Sequence, residues 1–127
     1  MSRERALLTV LVVFFAWQNI AVGGSTPESE GWKKGNGDVY WKNDCDWRGP
    51  SGDDITSIKT PVDLCGNACS NWKGCSHFTW TDWEGGTCFL KRGGNIKAKF
   101  HELVAQQGAV CGWRYCFYET SDCRGEC

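Results

Sequence analysis

The sequence contains no Asn-x-Ser/Thr site, so N-linked glycosylation is not expected. It has no GxSxG elbow, no HExxH helix and no phosphate-binding P-loop, and each absence removes one recognisable route to catalysis. Histidine is scarce, with only His77 and His101 present, and a surface or structural role is the ordinary one for either. An excess of one charge sign is lacking too: 14 basic residues stand against 15 acidic ones, for a formal net charge of −1. That balance gives no reason to expect nucleic-acid or anionic-membrane binding. Acidic Asp44, Asp46, Asp53 and Asp54 lie early and basic Lys91, Arg92, Lys97 and Lys99 lie late. Both groups read as solvated loops. The longest apolar run, Ala6 to Trp17 with one interruption at Thr9, is too short to span a bilayer.

That run has the flanks of an export signal. Arg3 and Arg5 precede it, and the small residues Ala21, Gly23 and Gly24 follow. A secretory signal peptide over residues 1–23, cut after Gly23 or Gly24, is therefore expected. Losing Arg3, Glu4 and Arg5 makes the net charge one unit more negative. About 100 residues remain, enough for one small domain. The mature protein is expected to be secreted and extracellular, with no membrane insertion.

Cysteine and tryptophan are abundant instead. A small domain buries a limited core, and cystines commonly supplement it outside the cell. The chain has nine cysteines, and six form an ordered series: Cys45, Cys65, Cys69, Cys75, Cys88 and Cys111. The spacing of Cys65, Cys69 and Cys75 departs from a CxxC zinc knuckle, and thiolate zinc needs reduced cysteines. No metal and no cofactor are expected.

Residues 24–37 are polar and Gly-rich and read as a flexible leader. DVYWKNDCDW then suggests a first strand, RGPSGDD a loop, and DDITSIK a short strand or anchoring loop. A helix follows. Thr60 can cap it, Pro61 fits its first position, and Asp63 suits the positive end of its dipole. Leu64, Cys65, Ala68, Cys69 and Trp72 share one face at helical spacing, and Gly74 is a natural stop. Both helix cysteines can therefore reach a neighbouring strand. Phe78 and Trp80 alternate with His77, Thr79 and Thr81, which puts His77 on the outer parity of a strand. Trp83-Glu84-Gly85-Gly86 supplies a turn, and Thr87 to Lys91 returns as its partner. Ala98 to Gln106 is predicted as a short helix, and CGW at 111–113 as a last strand beside the first. There is no internal repeat. The tail, residues 114–127, carries Cys116, Cys123 and Cys127. Three cysteines cannot all pair with one another. One stays free, or bridges to a second chain as a disulfide-linked dimer, or the trio shuffles with the first six.

The six ordered cysteines, with DLCGNACSNWKGCSHFTWTDWEGGTCFLK and the closing AVCGW, resemble a PAN/apple domain. The resemblance runs from Trp41 to Trp113, within a domain of residues 38–113. Its wording is nearer to PAN modules of secreted lectin-like proteins than to the apple domains of clotting zymogens. It implies an α+β fold, a small disulfide-rich domain in which a curved antiparallel sheet cradles one helix. It also implies the pairs Cys45–Cys111, Cys65–Cys88 and Cys69–Cys75, where sequence alone leaves many pairings open. The family has no catalytic machinery and binds proteins or glycans. The cysteine tail lies outside its pattern.

The residues themselves agree with a non-catalytic protein. A Cys–His nucleophile would need a spare thiol, and Asp82 with Glu84 sits in a turn without a cleft to raise a pKa. Tryptophan makes a better case for binding. Trp72 and Trp80 fall on apolar faces and are expected in the core. Trp83, in the hairpin turn, is the leading binding residue, because an exposed indole can stack on a sugar or anchor a protein contact. Trp47, beside the RGPSGDD loop, is second, and Lys91 and Arg92 would add a cationic rim for an acidic partner. The expected function is carbohydrate recognition by a secreted, lectin-like module. The alternative is a protein-binding secreted effector or venom component acting on a host or target receptor. Closing the long Cys45–Cys111 loop contributes about 4 kcal/mol in the chain-entropy model. Full reduction should therefore unfold the domain, and a near-UV circular dichroism spectrum unchanged by reductant would contradict this.

Overall fold

Alternating side chains set most of the strands. The computed structural model describes residues 25–121 and 123; residues 1–24, which include the expected signal peptide, and Cys127 lie outside them. The chain divides into two units, ending and beginning at Glu30 and Gly31. In the first, Glu28–Glu30 forms a 3-10 turn, and the Ser29 amide donates to Thr26 Oγ1 at 3.1 Å. The second holds six strands: β1 (Lys33–Lys34), β2 (Val39–Trp47), β3 (Asp54–Lys59), β4 (His77–Thr81), β5 (Thr87–Lys91) and β6 (Leu103–Arg114). They form one sheet in the order β1-β2-β6-β4-β5-β3, with every pairing antiparallel. Two short helices complete it, α1 (Cys65–Ser70) and α2 (Ile96–Lys99). This is a small disulfide-rich α+β fold.

Each face of the sheet has its own core. On one, α1 packs through Cys65 and Cys69 against Val39, Phe78, Cys88 and Leu90. Glycine permits that approach twice. A Cβ on Gly66 would lie 3.1 Å from Val39 Cγ1, and one on Gly112 only 2.3 Å from Phe78 Cζ. On the other face, Trp32, Tyr40, Trp47, Ile96, Trp113 and Phe117 gather around Cys45 and Cys111. His77 was expected on an outward parity, but it is buried, because this second layer covers the face it points to.

Four disulfides join these parts. Cys45–Cys111 ties β2 to β6, Cys65–Cys88 ties α1 to β5, and Cys69–Cys75 closes the turn after α1. These are the three pairs that the family resemblance implies. The fourth, Cys116–Cys123, closes the tail within one chain, so neither cysteine is left for a second chain or for exchange with the first six. No helix among the described residues is long and apolar enough to cross a membrane. Together with four disulfides, this is consistent with an extracellular protein.

Three expectations fail locally. Residues 24–37 are not a flexible leader throughout: Trp32 is 4% exposed and Lys33–Lys34 pair with Tyr40 and Trp41. The polar, Gly-rich composition hid a single large anchor. The helix predicted over 98–106 is interrupted early. α2 ends at Lys99, a 3-10 turn spans Phe100–Glu102, and Leu103, Val104 and Ala105 pair with Trp47, Asp46 and Cys45. Pairing with β2 outweighs local helix propensity there. Trp72 is 41% exposed rather than in the core, because α1 stops at Ser70 and its helical phase does not reach Trp72. Replacing Trp32 by alanine should remove about 3–5 kcal/mol of stability, the usual cost of truncating a buried aromatic. Urea unfolding measures it, and a loss under about 1 kcal/mol would place Trp32 outside the cooperative core.

Candidate functional site

The four residues singled out for binding do not form one site. Trp83 sits on the β4–β5 turn, 56% exposed, on a backbone where Glu84 has φ of 50°. Lys59 Nζ lies 4.7 Å from the Trp83 ring centroid and also pairs with Glu84. One face of the indole thus already carries a cation. Lys91 and Arg92 are at the opposite end of β5, roughly 13 Å of strand away. Lys91 Nζ is 2.6 Å from Asp54 Oδ1, and the exposed Arg92 donates from Nη1 to Gly52 O at 3.2 Å. Both are engaged with the segment around β3. Trp47 is not a surface residue at all. It is 3% exposed, its Nε1 donates to Gly112 O at 3.2 Å, and its ring meets the His77 ring edge-on at 4.9 Å. By alternation alone Trp47 would share the face of Val39 and Trp41, but the β2 irregularity between Asn43 and Cys45, where Asp44 has φ of 59°, turns it into the aromatic layer, away from solvent.

A groove lined by aromatic residues lies elsewhere, beside α1. Six helical residues cover only about 9 Å of a much wider sheet. Val39 and Phe78 lie under the helix, but Trp41 and Trp80, on the same parity of β2 and β4, are only half-covered. The result is a groove of about 470 Å³ whose walls include Trp41, Trp80, Val62, Asn43, Asn67 and Asp63. Both indoles have polar neighbours, and one face of Trp41, like one face of Trp83, carries a cation. Trp80 Nε1 donates to Thr60 O at 2.8 Å, and Lys33 Nζ lies 4.9 Å from the Trp41 ring centroid. Apolar rings with amide and carboxylate groups around them suit a ligand that has both apolar faces and hydroxyls. The sequence reading passed over Trp41 as a strand residue. Its shared parity with Val39 was the available signal, but the shortness of α1 was not visible.

A second, larger concavity of about 690 Å³ lies below the end of α1, where Trp72, Lys73, Arg92 and Arg114 meet the tail. Arg114 is already committed: it is 4% exposed, its Nε lies 3.3 Å from Asp38 Oδ1, and its Nη1 donates to Cys75 O at 3.2 Å.

Among the described residues, His77 has the one strongly shifted proton equilibrium. Burial first, then the positive charges of Lys99 and Lys91, push its pKa from 6.5 down to about 3. Its imidazole is neutral at neutral pH. No known protein family, curated protein or solved structure matches this chain.

The sign of the pH effect follows from that shift. Below 6.5 the unfolded chain takes up a proton on His77 that the native state refuses until about pH 3. Its contribution to stability therefore falls as pH drops through this window, by at most about 1.4 kcal/mol per unit. Urea unfolding from pH 7 to pH 4 should show a shallower decline in His77→Gln than in the parent protein. A His77 ring titrating near 6.5 by NMR would contradict the burial argument.

Proposed function

We propose that this chain is a secreted, non-catalytic binding module of PAN/apple type, and that it recognises carbohydrate in the groove beside α1. The observation that carries this reading is the pair of half-covered indoles, Trp41 and Trp80, set among Asn43, Asn67 and Asp63. A pyranose ring presents an apolar face to an indole and hydroxyls to amides and carboxylates, so one groove satisfies both sides of its chemistry. The groove's volume matches a ligand of one or two sugar rings, within the range usual for small-molecule sites. The six ordered cysteines and the three pairs they form support the family assignment. The Arg3/Arg5 and Ala6–Trp17 pattern supports secretion.

Protein binding is the second reading. It is favoured by Leu64 and Trp72, which are 46% and 41% exposed at either end of α1 and offer apolar anchors for a partner.

A glycan array, followed by titration of any hit, separates these readings. Under the groove reading, Trp41→Ala and Asn67→Ala each weaken sugar binding about tenfold, the loss of one stacking or hydrogen-bonding contact, while Trp83→Ala leaves it unchanged. Loss on Trp83→Ala alone would move the site to the β4–β5 turn. A silent array with a partner captured through Leu64 and Trp72 would favour the protein-binding reading.

A further inference from the structure

Three connecting segments converge where β4 begins. An oxygen of Asp53, an oxygen of Glu102 and a ring nitrogen of His77 lie within 4.8 Å of one another. None is on open surface. His77 is 1% exposed, and the side chains of Asp53 and Glu102 are 21% and 12% exposed.

The tautomer of His77 follows from its neighbour. Ser76 Oγ has one proton, and its closest acceptor is Gly93 O at 2.6 Å. Toward His77 Nδ1, 2.9 Å away, Ser76 Oγ must then accept. Nδ1 carries the ring proton, and Nε2 carries a lone pair. No described residue donates to that lone pair. Glu102 Oε1 is buried and has no hydrogen-bond partner. One buried acceptor at this corner, Glu102 Oε1, thus lacks a donor, which is costly for a buried group. The cluster already holds a positive charge. Lys99 Nζ sits 3.2 Å from Asp53 Oδ2 and 3.6 Å from Glu102 Oε2.

We propose that Asp53, His77 and Glu102 form a binding site for a zinc-class divalent cation, which competes with the Lys99 ammonium for the two carboxylates. One imidazole and two carboxylates suit a first-row divalent ion, with water completing the shell. Calcium is a poorer fit, since it takes six or more oxygen ligands. The Ser76 hydroxyl is the outer partner that holds the imidazole in its ligating tautomer. Lys99, whose side chain is 18% exposed, has a route to solvent when the metal enters. The site uses no thiolate, so oxidised cysteines do not bar it. Bound metal would link the segment before β3, the start of β4 and the turn before β6.

Zn2+ titration of the chelator-stripped, disulfide-intact protein tests this by calorimetry, with Co2+ absorbance as a second readout of nitrogen ligation. One equivalent of Zn2+ is expected to bind. Lys99→Met, which removes the competing charge, should tighten binding at least tenfold. Asp53→Asn and Glu102→Gln, both at partly exposed positions, should each weaken it at least tenfold with the circular dichroism spectrum unchanged. His77→Asn should abolish the Co2+ visible band. Failure of both the parent protein and Lys99→Met to bind Zn2+ overturns the proposal. So does binding that is indifferent to Asp53→Asn and Glu102→Gln.

Discussion

The Trp113 ring is the contact on which most of the second unit depends. It is completely buried, with Tyr40 and Tyr118 stacked at 5.1 Å, Trp32 edge-on at 5.7 Å and Phe100 edge-on at 5.8 Å. Those four rings come from a strand, the segment before β1, the connection before β6, and the tail. One residue on a central strand therefore organises four separate stretches of chain. Aromatic area of this kind provides more burial per residue than a small domain otherwise finds. Arg114, the next residue, continues the arrangement through Asp38 and the Cys75 carbonyl. The Cys116–Cys123 turn is thereby held against the fold.

The opposite face is built differently. α1 is six residues long, and helices that short are marginal on their own. Two of its residues, Cys65 and Cys69, are cystine partners, so covalent bonds supply what helix length does not. A cystine-held helix can be short and still stay in place. Its shortness leaves Trp41 and Trp80 half-covered, and this is how a stability device becomes a groove. The same economy exposes Trp72, where the helix has already ended.

The buried polar residues His77, Thr79, Thr87 and Arg114 sit in the strands, whereas a partly buried charge cluster lies where connections meet the start of β4. Asp53, Lys99 and Glu102 come from turns and a short helix around the buried start of β4. Charges in such places persist only when matched, and Lys99 matches both carboxylates. The neutral His77 imidazole beside them shows how strongly burial weighs on this corner. Trp83, by contrast, lies at a turn in contact with water, where Lys59 and Glu84 restrain it only loosely against solvent competition.

Local chemistry determined much of this protein in advance. The β2, β4 and β5 strands, the β4–β5 turn and the helical position of Cys65 and Cys69 follow from period-two alternation, turn residues and helical spacing in single segments. The outward Trp83 was legible for the same reason, since a turn residue's exposure depends little on distant chain. Pairings between distant parts decided the rest. Whether Trp32 anchors or dangles, and whether Leu103–Ala105 continues a helix or joins β2, is settled by partners far along the chain. Trp47 changes face at the β2 irregularity between Asn43 and Cys45, and the fates of His77, Trp41 and Trp80 turn on one further fact: one face of the sheet is more fully covered than the other. Parity assigns a side chain to a face. Only the tertiary structure decides what covers that face, because burial is a property of the elements packed against a strand and not of the strand itself.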